Sequence, residues 1–186
     1  WASDSSIWAT WEKYFIDKGW LWQNNDRGYG VIQDKEASWI QSSKENIPCK
    51  RAIICHSLGL HLIKPDIFKN ATDVVLISSF GRFITNGPEN RSLKTALEGM
   101  QKALGNKNEV TMLTKFLLKA CSPYQFKTIP AGLIPNHLSL EGRQKLQSDL
   151  NLLINTKGIP HGLPKSSKLL TIFGEKDSIL APSTII

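Results

Sequence analysis

Apolar positions along this chain repeat with two different periods. In residues 5–18 (SSIWATWEKYFIDK) they recur at helical spacing, setting Trp8, Trp11 and Phe15 on one face with Ile7 beside them, and Gly19 ends the helix. Arg51 to Cys55, Asp73 to Ser79 and Lys168 to Phe173 are short continuous apolar runs, which predict buried strands. A further short strand is expected at Trp20 to Gln23, before the turn-like Asp26-Arg27-Gly28-Tyr29-Gly30. A short helix is expected near Ala37 to Ser43, and another from Leu58 to Phe68. Strands separated by helical stretches predict an α/β fold whose mostly parallel sheet is covered on both faces.

Almost ninety residues separate the second and third of these strands. Leu93, Ala96, Leu97, Met100 and Leu104 form one helical stripe, and Leu113, Phe116, Leu117 and Ala120 a second. Leu146, Leu150 and Leu153 form a third, with Asn108 and Ser139 expected to cap the latter two helices. A βαβ crossover needs one helix, so several here predict an inserted lid. The expected organisation is one domain: core at 1–80, lid at 81–164, and a core strand with its loop at 165–186.

Charge sharpens this picture. The net charge is +7, and the stretch from Arg82 to Lys157 carries +6 of it, which points to an acidic partner. The basic residues lack an interleaved aromatic stripe, so a nucleic-acid partner is not expected. No apolar run approaches the roughly 20 residues needed to span a bilayer, so no membrane is expected either. Cys49, Cys55 and Cys121 have no metal spacing and leave an odd thiol, which fits a reducing, cytoplasmic setting.

The chemistry centres on Cys55-His56-Ser57-Leu58-Gly59, between a strand and a helix. This is the place of a nucleophile elbow, usually G-x-S-x-G, in which small residues flank a sharply turned serine. Ser57 is therefore the candidate nucleophile, with Cys55 replacing the first glycine. His56 reads as a structural residue packed beneath the turn, since neighbours on an elbow point in different directions. His61 reads as structural as well.

Gly174-Glu175-Lys176-Asp177-Ser178-Ile179 follows the third strand, and an acid there fits the chain order serine, acid, histidine. Asp177 is preferred to Glu175 because the loop turns back at Asp177 towards Ile179 and Leu180. The histidine that this order requires is expected beyond Ile186, so the chain is expected to be cut at both ends. His137 and His161 precede the acid and stand as weaker candidates for the base.

With these elements placed, the chain resembles the pimeloyl-acyl-carrier-protein methyl ester esterases of biotin synthesis, within the α/β-hydrolases. The resemblance is carried by Trp1-Ala2-Ser3-Asp4-Ser5-Ser6-Ile7-Trp8, the turn at residues 26–30 and His56-Ser57-Leu58-Gly59. It extends through Ile77-Ser78-Ser79-Phe80, the helix at residues 97–104 and Phe173-Gly174-Glu175-Lys176-Asp177. Cys55, the short stretch between Gly30 and Arg51 and the missing histidine depart from the family.

The resemblance implies a serine carboxylesterase that needs no metal or cofactor and removes a methyl group from an acyl chain on acyl carrier protein. It implies that Ser57 attacks the ester and that the backbone N–H groups of Leu58 and Trp1 hold the oxyanion. Lys115 and Lys119, four residues apart, share a helix face, with Lys102, Lys107 and Arg143 nearby in sequence. These five are the expected docking residues for the acidic carrier. Two alternatives remain open: a general carboxylesterase or thioesterase on small acyl substrates, and a non-catalytic hydrolase-fold binding protein.

Overall fold

The computed structural model describes residues 1–40, 49–124, 138–181, 184 and 186. Its centre is a parallel sheet of three strands, β1 (Ala52–His56), β2 (Asp73–Ile77) and β3 (Lys168–Ile172), in that spatial order. Register runs Ala52↔Asp73↔Lys168 through His56↔Ile77↔Ile172, so all three strands end at one level. The chain is thus α/β with a small parallel sheet and flanking helices.

The apolar runs made strands because both strand faces find cover on β1 and β2, though unequally. Ile53, Cys55, Val74 and Leu76 point into a core with Leu60, Phe68 and Ala71. The alternate positions are only half-buried, and His56 at the end of β1 is exposed. On β3 the expected burial fails: Leu169, Leu170 and Ile172 are 48%, 55% and 41% exposed.

The helix expected from Leu58 to Phe68 is two short ones, α2 (Gly59–Leu62) and α3 (Pro65–Phe68). Pro65 is the cause, because proline drives the residue before it out of the helical region. Lys64 is extended, at φ −65°, ψ 142°. Residues 5–18 split into a 3₁₀ turn at Ser5–Trp8 and α1 (Ala9–Asp17). No strand forms at Trp20 to Gln23; Trp20 and Trp22 pack on Phe15 instead. Residues 37–40 are not helical, and the remainder of that expected helix lies outside the described residues.

Between β2 and β3 stand α4 (Arg91–Ala103), α5 (Glu109–Cys121) and α6 (Leu140–Ile154). Leu97, Leu113, Leu117, Leu146, Leu150 and Leu153 are buried as their spacing predicts, whereas Ala96 and Ala120 fall on the exposed side. Ser139 caps α6 by accepting from Gly142 N at 2.8 Å. Asn108 makes no side-chain cap; Asn106 Oδ1 accepts from Asn108 N instead.

Buried charge fixes α6. Asp149, 2% exposed, takes two bonds from the Arg27 guanidinium, 2.8 and 2.7 Å, and one from Tyr29 O–H at 2.6 Å. Burial, with the Asp149 carboxylate adding to it, pushes the Tyr29 hydroxyl far above its usual range. Lys145 reaches Asp34 at 2.6 Å, and Ser139 N donates to the Tyr29 carbonyl. Gly142 is obligatory here, since a Cβ would lie 1.8 Å from that carbonyl oxygen. Among the described residues no helix is long and apolar enough to cross a membrane.

Candidate functional site

The carboxyl ends of the strands carry the chemistry-bearing residues. Ser57 follows β1 directly with φ +54°, a left-handed backbone that costs a non-glycine residue roughly 1–2 kcal/mol. Two contacts hold it there. Ser57 N donates to Ile77 O at 2.9 Å, continuing the ladder, and Leu58 next to it is fully buried against Phe80, Leu97 and Leu150. Burying that leucine contributes about 2 kcal/mol, enough to offset the strain.

Among the described residues no hydrogen bond engages Ser57 Oγ or the Leu58 amide, so both stand available to a ligand. The tight turn leaves more room than its glycine implies: a Cβ on Gly59 would meet only Cys55 Cβ, at 3.9 Å. Cys55 therefore fits because its side chain turns into the core, 2% exposed. Burial pushes its thiol up to about 12, which keeps it neutral and unreactive at neutral pH.

His56 departs from its expected place. It is not packed beneath the turn but exposed, on the opposite side of β1 from Cys55. Desolvation by the surrounding protein holds its imidazole below its ordinary value, with Asp177 opposing. Trp1 is anchored by Nε1 donating to Leu146 O at 2.8 Å and by an edge-to-face contact with Phe116.

Asp177 closes its own loop. Its Oδ1 accepts from Ile179 N at 2.8 Å and Leu180 N at 3.0 Å, which orients the carboxylate and leaves Oδ2 for another donor. Glu175 is exposed. With β2 between β1 and β3, Ser57 and the start of the acid loop are two strand spacings apart, about 10 Å. That is too far for direct contact and leaves room for a bridging base.

The described histidines do not fill that gap. His61 Nε2 bonds the Phe80 carbonyl at 2.7 Å, a structural role. His161 is exposed beside Gly162, whose backbone packs on Pro65, and His137 lies outside the described residues.

The five expected docking residues divide. Lys102, Lys107, Lys115 and Lys119 are exposed, the last two on α5 beside the exposed Val110 and Leu118. Arg143 is not free: it forms a two-point ion pair with the buried Glu109, 2.6 and 2.9 Å. The same guanidinium holds the Glu109 carboxyl below the usual carboxylate range.

A cleft of about 610 Å³ runs along the free edge of β1, lined by Trp8, Trp20, Trp22 and Trp39 among others. It reaches His56 and Gly59, yet Ser57, Leu58 and Asp177 do not line it, so its position argues against a role in chemistry at Ser57. Among the described residues no cluster of His, Cys, Asp and Glu is placed to hold a metal ion.

Sequence reasoning missed the Arg27–Tyr29–Asp149 network. Its signal was there to read: Asp149 sits on the stripe of Leu146, Leu150 and Leu153, where an acid needs a partner. Set against protein-family models and curated proteins, the chain matches none.

Proposed function

We propose that this chain is part of an α/β-hydrolase, a serine carboxylesterase with Ser57 as nucleophile and Asp177 as the acid. The observation that carries the reading is the left-handed Ser57, set between a parallel strand and a helix, its hydroxyl without a partner among the described residues. Such strain at a non-glycine residue is held where function needs it. Ser57 Oγ attacks the ester carbonyl and passes its proton to a histidine, which chain order puts after Asp177. The oxyanion is held by the N–H groups of Leu58 and Trp1, each donor contributing roughly 3 kcal/mol to the transition state. The protonated histidine then releases the alcohol, and water attacks the acyl-enzyme. In the complete protein, Ser57→Ala should lower kcat on a short acyl ester by about 10³-fold or more while leaving the melting temperature in place. Activity within tenfold of wild type would rule Ser57 out.

The substrate in this reading is the methyl ester of a pimeloyl-type chain on acyl carrier protein, in biotin synthesis, with α4–α6 as the lid. Its support is the exposure of Lys102, Lys107, Lys115 and Lys119. The pairing of Arg143 with Glu109 takes one cation from that set and favours the second reading, a general carboxylesterase on small acyl esters. Reversing Lys115 and Lys119 to Glu separates the two. Carrier docking requires KM for the carrier-bound ester to rise roughly tenfold at low salt, with a free methyl ester unaffected. Equal effects on both substrates would leave the general esterase.

A further inference from the structure

The chain enters the helical insertion and leaves it side by side, and a cleft opens there. Phe83 N donates to Thr156 Oγ1 at 2.9 Å, and Arg82 Nη2 donates to the Lys157 carbonyl at 3.2 Å. Gln101 Nε2 on α4 bonds Asn151 Oδ1 on α6, so the two helices beside the cleft are tied to each other as well. The cleft has a volume of about 490 Å³, within the usual range of small-molecule sites. Ser57 and Asp177 do not line it.

Its lining is divided between an apolar floor and a charged mouth. Leu97 is buried and Ile84 and Ile154 are half-buried, all three in the cluster that holds Phe83, Leu150 and Leu153. Arg82, Lys94 and Lys157 bring three positive charges from three separate segments, and among the described residues Glu98 is the one lining acid. The carbonyl end of α6 subtracts roughly half a charge more. The balance stays positive.

Those charges are unspent. Among the described residues Lys94 and Lys157 form no ion pair, although Glu98 stands four residues after Lys94 on α4. The bond to the Lys157 carbonyl uses one N–H of Arg82, and the rest of its guanidinium has no partner among the described residues. A fixed guanidinium with donors to spare, set over an apolar floor, suits an anionic headgroup carried on an apolar body. We propose that the cleft binds a small amphipathic organic anion. Arg82, Lys94 and Lys157 hold its carboxylate or phosphate, and its apolar body lies on Ile84, Leu97 and Ile154. This site stands whether or not Ser57 is a nucleophile.

Calorimetric titration of the full chain with hexanoate and with hexyl phosphate tests the site. Hexanol and inorganic phosphate supply the apolar and the anionic half alone. Both amphipathic anions should bind saturably with Kd on the order of 1 mM or below, and each half alone about tenfold more weakly. Lys94→Gln combined with Lys157→Gln should weaken the anions about tenfold, while Glu98→Gln should tighten them about threefold. All three side chains are exposed, so the fold should survive each change. Lys13→Gln combined with Lys18→Gln, on and just after α1, is the control and should leave binding as it was. The tighter of the two anions identifies the headgroup. No saturable binding, or an equal loss in the α1 control, would overturn the site. Inorganic phosphate matching hexyl phosphate would overturn the amphipathic ligand.

Discussion

The seat of α6 and the outer strand β3 are held in place on opposite terms. α6 meets the loop at residues 26–35 through a buried carboxylate, a guanidinium, a phenol, a lysine pair and a backbone contact that only glycine permits. Among the described residues β3 is held mainly by its ladder to β2, and three of its apolar side chains are largely exposed. Backbone hydrogen bonding thus positions this strand, while the loop beyond it is seated by the buried Leu180 and by side-chain bonds of Asp177 and Ser178. Orienting a helix to a single rotation takes side chains that tolerate no other partner.

The largest effect should come from removing the central charge. Asp149→Ala strips Arg27 and Tyr29 of their shared acceptor and should cost about 3 kcal/mol in urea unfolding. A loss below 1 kcal/mol would mean that apolar packing alone seats α6. Gly142→Ala should follow. In an open helix this change gains about 1 kcal/mol, but here the added carbon lands on the Tyr29 carbonyl, and a loss of about 2 kcal/mol is expected. A raised melting temperature would show that the loop yields. On the other side of the comparison, Leu170→Thr should change stability by less than about 0.5 kcal/mol. A loss of 2 kcal/mol or more would show Leu170 covered in solution and erase the contrast.

What the sequence made legible follows the same divide. The strands were readable because an apolar run of four or five residues needs only neighbours of its own kind. The helices of the insertion were readable from their leucine spacing. The break at Pro65 had an equally local signal, yet the apolar stripe predicted one helix through it, and the stripe does not override a proline. The ion pairs were not readable: Arg27 and Asp149 lie 122 residues apart, and Glu109 and Arg143 lie 34 apart. Counted along the chain, Arg143 was one more positive charge on a basic face; in space it neutralises an acid. At the site, the placement of Ser57 after a strand was visible in the sequence. The sharp turn there was expected from the elbow pattern, and the structure gives it as a left-handed backbone at φ +54°.

A hydrogen bond joins α5 to the loop that carries Asp177. Ser178 Oγ donates to the Lys119 carbonyl at 2.6 Å, at the last turn of α5, one residue beyond Asp177. Any outward swing of α5 must either sever that bond, at about 1 kcal/mol, or draw the loop along with it. The angle of the helix and the aim of the Asp177 carboxylate are then mechanically coupled, so a shift of α5 is passed on to the loop.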